Sequence, residues 1–294
     1  MIRVYDGNME NQQNALKILR RIGKQEDDQL DLASAALALA SLENPATESA
    51  PYQDHLDALA AYIRAKPVAD RLNDQLRLLR RLLVVQHKYQ GNENRDDAPC
   101  ANNFMDMIDQ KQGSSVLLGI LYLHVAQAAG WAMTGLDLSG HFLLRLSARD
   151  GQVLIDPFRA GQTCYIEEVE ETFFNENVLF DSSEEENDED SLDFSSALLR
   201  TLTHREVLLR LQHDVKRRLL LDDQIEPAIT VLQNMLLFAP KQQDLWREIG
   251  YLQAERGHIY AAINALETVR NLAPEPMPLK QTDGLLQELR WRLN

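Results

Sequence analysis

The chain has 294 residues, 45% hydrophobic and 26% charged, which suits a packed core and not a disordered or fibrous protein. Its net charge of −15 is concentrated: 13 Asp or Glu and no Lys or Arg fall between Ala160 and Leu199, leaving the remainder close to neutral. That pattern gives no support to nucleic-acid binding, which needs clustered basic residues. Two cysteines, Cys100 and Cys164, make neither a disulfide framework nor a four-thiolate zinc site. No apolar run approaches the ~18 residues of a membrane span, and the N-terminus has no signal-peptide pattern. The expectation is a cytoplasmic protein of two domains, off the membrane and without cofactor or metal.

Residues 1–28 are polar and end in Gln25-Glu26-Asp27-Asp28, so they read as a flexible tail. From Leu30 the apolar residues fall on one helical face as far as Leu42, and Asn44-Pro45 stops the helix. Two more helices follow, over about 51–65 and about 68–85, the latter with Leu72, Leu76, Leu79 and Leu83 as its stripe. Gly91 to Pro99 is rich in turn formers and reads as a loop, with Phe104, Met107 and Ile108 on a short helix after it. Ser114-Ser115 then opens an apolar helix over 116–129, closed by Gly130.

Beyond Gly130 the period changes to two. Strands are expected over 133–138, 141–147 and 152–156, with Asp150-Gly151 as a hairpin signal. A buried helix followed by an antiparallel sheet is an α+β arrangement. The run Glu184 to Asp190 reads as an acidic linker, residues 181–194. From 195 to 294 the expectation is all-helical. Ala228, Leu232 and Pro240 recur 34 residues later as Ala262, Leu266 and Pro274, the spacing of tetratricopeptide repeats, and Trp246, Ile249 and Gly250 fit that motif. About two repeats are present, with 279–293 as a capping helix.

One constellation could carry chemistry: Gly113-Ser114-Ser115 at a helix start, Gly140-His141-Phe142 on a strand, and Asp156-Pro157-Phe158 at the end of the next. A nucleophile at a helix N-terminus gains from the dipole, a neighbouring His can act as its base, and an Asp can hold the imidazole tautomer.

These segments, together with Leu30–Leu42, Gly91–Pro99 and the run Ser139 to Arg145, resemble a bacterial family with a transglutaminase-like core followed by tetratricopeptide repeats. Some members of that family carry a SirB-type, invasion-regulator label. The resemblance spans most of residues 30–275, with the Gly-His-Phe and Asp-Pro-Phe blocks its most specific parts. It implies a papain-like, thiol-protease-like core over residues 29–180 without an assigned reaction, in a branch that usually lacks the thiol of working transglutaminases. Here too the residue two after Gly113 is Ser115 and not Cys. His141 and Asp156 stand at the positions of the base and the orienting acid.

Ser115 is either a substitute nucleophile or, with Ser114, a helix cap. Loss of the nucleophile from a triad costs roughly a millionfold in turnover, which favours the cap. His141 is either the relic of a site or a structural partner of Asp156, and Asp156 can equally start a turn. Arg145, Trp246 and Tyr260 are the candidate binding side chains. His124 reads as a core residue, and a metal site from His124, His141 and Cys164 lacks diagnostic spacing. The expected function is a non-catalytic transglutaminase-like protein that binds a protein or peptide. The alternative is a hydrolase or acyltransferase on amide bonds using Ser115, His141 and Asp156.

Overall fold

A computed structural model describes residues 2–92, 103–138, 141–164, 200–272 and 280–293. The chain divides into two compact units, residues 1–12 with 27–208, and residues 13–26 with 209–294.

In the first unit two helices are apolar on all sides, the pattern of a helix enclosed by protein. Helix α2 (Leu32–Glu43) is capped by Asp31, whose carboxylate accepts from the Ser34 amide at 3.1 Å. Helix α6 (Ser115–Ala128) is buried along ten of its residues. Around them lie α3 (Ala50–Arg64), α4 (Leu72–Leu79) and α5 (Phe104–Gln110). The helix expected over 68–85 begins only at Leu72, and from Arg80 to Gln86 it widens into π-helical turns.

Strands β3 (Ala132–Leu138), β4 (His141–Ala148), β5 (Gly151–Asp156), β6 (Gln162–Cys164) and β7 (Arg200–Leu202) form a sheet in the order β6-β5-β4-β3-β7, every pair antiparallel. Strand β7 corrects the expectation that everything from 195 is helical. Three residues are too few for a periodic signal, and the sheet edge decides their conformation by pairing Leu202 with Gly135. A separate short parallel ladder joins β1 (Gln90–Gly91) to β2 (Gln112–Gly113).

Side chains alternate across the sheet. Met133, Phe142, Leu144 and Leu146 share the face toward α6, where the Phe142 ring occupies the space beside Gly119. Leu136, Leu138, Leu143 and Leu154 form a buried cluster on the opposite face, with Cys164 packed against it.

Helix α1 (Ile2–Ile22) replaces the expected tail. Its polar composition hides Ala15, Leu19 and Ile22, which fall at helical spacing and are fully buried. Gly23 follows it, at a point where a Cβ would strike the Leu237 carbonyl. Helix α7 (His204–Leu221) starts within the first unit and continues into the second, where α8 (Ile225–Phe238), α9 (Gln243–Glu255), α10 (Ile259–Leu272) and α11 (Lys280–Leu293) follow. Gly250 lets α9 approach Leu266 of α10, and Leu286 and Leu289 of α11 close the cluster around Ala262 and Leu266.

Candidate functional site

The entry to α6 is built from glycines and serines. Gly113 stands where a side chain would collide with Met107. Ser114 is buried at the N-cap, and its Oγ accepts from the Leu117 amide at 3.3 Å. That bond satisfies one of the free amides of the first turn. Ser115 follows, half-buried, and among the described residues no side chain hydrogen-bonds to it.

Strand β4 starts at His141, exposed and opposite Leu138. Because Phe142 points at α6, alternation turns His141 to the other face of the sheet. Asp156 ends β5 opposite Gln162. One further step of the β4–β5 register sets it level with Leu143, on the same face as His141 and about 7–8 Å away on the diagonal. Its carboxylate serves the turn that follows: Oδ1 accepts from the amides of Phe158 at 2.8 Å and Arg159 at 3.2 Å, while Oδ2 faces the Arg159 guanidinium at 3.7 Å.

The remaining candidates are dispersed. Arg145 donates to the Thr201 hydroxyl at 3.0 Å. The Trp246 indole donates to the Pro240 carbonyl at 3.0 Å, and Tyr260 is 73% exposed. His124 Nε2 donates to the Leu56 carbonyl at 3.1 Å. Cys164 is half-buried, and Cys100 lies outside the described residues. Among the described residues no three His, Cys, Asp or Glu side chains gather as a metal site would require, and no helix is long and apolar enough to cross a membrane.

Beside the α6 entry is a group that periodicity does not pick out. The β1–β2 ladder pairs Gly91 with Gly113, and the Gly91 amide donates to the Phe158 carbonyl at 2.9 Å, so one short strand touches both the α6 approach and the Asp156 turn. Immediately before it, the fully buried Tyr89 has its hydroxyl 2.8 Å from His55 Nε2 and 3.2 Å from Lys111 Nζ. The His87 ring stacks over Tyr89 at 6.3 Å and meets the His55 ring edge-on at 5.3 Å. Burial first, then the Lys111 charge, lowers the His55 pKa to about 4, and the same two causes lower that of His87. Burial also lowers Lys111, against the pull of Asp109, and raises Tyr89. The residues come from three elements, up to 56 positions apart, so sequence spacing carries no signal of them. The only hint is polar side chains where an apolar stripe would continue.

Residues 50–213, more than half of the chain, match the transglutaminase-like superfamily, and the chain belongs to it. Over 279 residues it is 24% identical to a UPF0162 protein of Xylella fastidiosa strain Temecula1, covering 95% of this chain and 96% of that protein, and equally to the UPF0162 protein of strain 9a5c. The crystal structure of menin that reveals the binding site for Mixed Lineage Leukemia (MLL) protein superposes with a TM-score of 0.45 at 11% identity. That match covers 89% of this chain and 70% of menin, a likeness too slight to carry an argument.

Proposed function

We propose that this is a transglutaminase-like protein in which recognition has replaced catalysis. In this reading a papain-like core over residues 29–180 is followed by an acidic segment, 181–194, and, after strand β7, by tetratricopeptide-type helices from His204 onward, with α11 as their cap. The helices and the edge of the former cleft bind a protein or peptide in the cytoplasm, with Arg145, Trp246 and Tyr260 as contacts. Stacked helical repeats suit such a role because they present extended surfaces. A SirB-type relationship gives that binding a regulatory setting.

The observation that carries the reading is the Asp156 carboxylate. It accepts two amides of its own turn and faces Arg159, so it is engaged where a triad would need it on an imidazole. Ser115 in place of a thiol and the direction of His141 argue the same way. The alternative, an amide hydrolase or acyltransferase using Ser115, His141 and Asp156, draws on one feature: the His and the Asp share a sheet face.

A serine-directed fluorophosphonate tests the choice. The expected result is no adduct on Ser115, and a Ser115→Ala chain that retains any partner captured by the unaltered chain. A covalent adduct on Ser115 that disappears in His141→Ala would overturn the reading.

A further inference from the structure

We propose that His55, His87, Tyr89 and Lys111 form a binding site for one small oxyanion, a carboxylate or a phosphate, which is bound together with a proton. The inference does not depend on the peptide-binding reading of the cleft, because it rests on a different group of side chains.

The first argument is a charge with no contacting counterion among the described residues, only the more distant pull of Asp109. Lys111 is half-buried, and among the described residues no carboxylate stands within ion-pair distance of it. Its ammonium meets the Tyr89 hydroxyl and the Tyr89 ring, whose centroid is 4.8 Å from Nζ. The nearest acidic groups lie on α5: Asp109 is exposed and accepts from the Tyr52 hydroxyl at 2.6 Å, while Asp106 is half-buried. A half-buried ammonium that no described carboxylate contacts is costly, and an anion supplies the contact. The groove on α7 shows the contrast: there Arg210 pairs with Asp214 at 3.0 Å and Lys216 with Glu248 at 2.6 Å.

The second argument is convergence of donors. With His55 neutral, Lys111 donates to the phenol and the phenol donates to His55 Nε2, which assigns the ring proton to Nδ1. Protonating either imidazole turns an acceptor into a donor beside the ammonium. The repulsion this creates is relieved by a bound anion, so anion and proton assist each other. A metal ion is the wrong occupant, since Lys111 would repel it from the imidazoles.

The backbone explains how the group is assembled. Lys111 has φ 59° and Lys88 φ 60°, a region uncommon for residues with side chains, and the π-turns of 80–86 lead directly into His87. Both left-handed residues end helical segments, which fixes the direction in which the chain delivers His87, Tyr89 and Lys111 to one place.

The groups that act on the imidazoles, and so govern the pH response, are Lys111 on both, His87 on His55, and the Tyr89 ring and hydroxyl beside them, while Asp109 on α5 acts on Lys111 and Tyr89. The test follows the histidine Cε1–H NMR signals of the full chain. It is titrated separately with inorganic phosphate, with N-acetyl-dialanine bearing a free carboxylate, and with its C-terminal amide. The expected result is a saturable shift of His55 and His87 with at least one oxyanion, with His213 and His258 unmoved. Affinity then falls about tenfold for each unit by which the pH rises while one proton is taken up on binding. Response to phosphate alone assigns the site to a free phosphate, and response to the free-carboxylate peptide assigns it to a chain end. Lys111→Gln weakens binding at least tenfold. No saturable shift with either oxyanion, or an equal shift with the amide, overturns the proposal on the unaltered chain, whether or not the variant folds.

Discussion

Gly119 on α6 and Phe142 on β4 meet without a side chain between them: the phenyl ring occupies the volume that a Cβ on Gly119 would need. Both neighbours are enclosed, Phe142 being 1% exposed, so the ring has nowhere to move. Helix propensity alone predicts that Gly119→Ala stabilises by about 1 kcal/mol. Overpacking reverses the sign, and the expected outcome is a loss of about 1–3 kcal/mol in urea unfolding. A more stable variant would show that α6 and β4 do not approach this closely.

Ser114 and Ser115 are adjacent yet should respond differently. The Ser114 hydroxyl caps α6, so Ser114→Ala is expected to cost about 1 kcal/mol, and Ser114→Asp to retain most of the stability. Ser115→Ala should stay within about 0.5 kcal/mol of the parent. Chemical denaturation of the three variants checks the ordering.

Asp156 is predicted to matter through its acceptor oxygen and not its charge. Asparagine keeps an oxygen at the same place, so Asp156→Asn should lose little, whereas Asp156→Ala should lose about 1–2 kcal/mol by freeing the Phe158 and Arg159 amides. Equal losses in the two variants would point to the ion pair with Arg159 instead.

A pH effect follows from His55. Its pKa is near 4 in the fold against an ordinary value of 6.5, so below 6.5 the unfolded chain binds a proton that the folded chain refuses. Stability is therefore full above pH 6.5 and declines as the pH falls toward 4. His87 acts in the same direction. Thermal unfolding of the parent between pH 7.5 and 4.5 should show the decline, and His55→Gln should flatten it. A Tm difference between the two that does not change with pH would remove His55 as the cause.

Gly250 offers a parallel test in the second unit. A Cβ there would lie 2.6 Å from Leu266, which is fully buried. Gly250→Ala is expected to destabilise by about 1–3 kcal/mol, and the double variant with Leu266→Ala should lose less than the sum of the two single losses, because removing the leucine opens the contact.

Several elements were legible because a local signal and the burial agree. Asp150-Gly151 turns β4 into β5, with Gly151 at φ 148°. Asn44 ends α2, and the apolar run after Ser114 is the enclosed helix α6. Other features had weak local signals. Helix α1 shows only three buried apolar residues in its latter half, and Arg200–Leu202 is a strand only because β3 has a free edge beside it. The π-turns after Leu79 have the same Leu-rich composition as an ordinary helix.

The candidate site divides the same way. Local order along the chain was enough to bring Ser115, His141 and Asp156 to notice, since helix starts and strand ends are short-range features. Which way each side chain turns was not, because direction depends on the register of neighbouring strands and on partners such as the Phe158 and Arg159 amides. The meeting of His55, His87, Tyr89 and Lys111 is likewise tertiary. Periodicity reports which face of one element is apolar, whereas this contact is made when three elements pack, and only packing brings residues 55 and 111 to one hydroxyl.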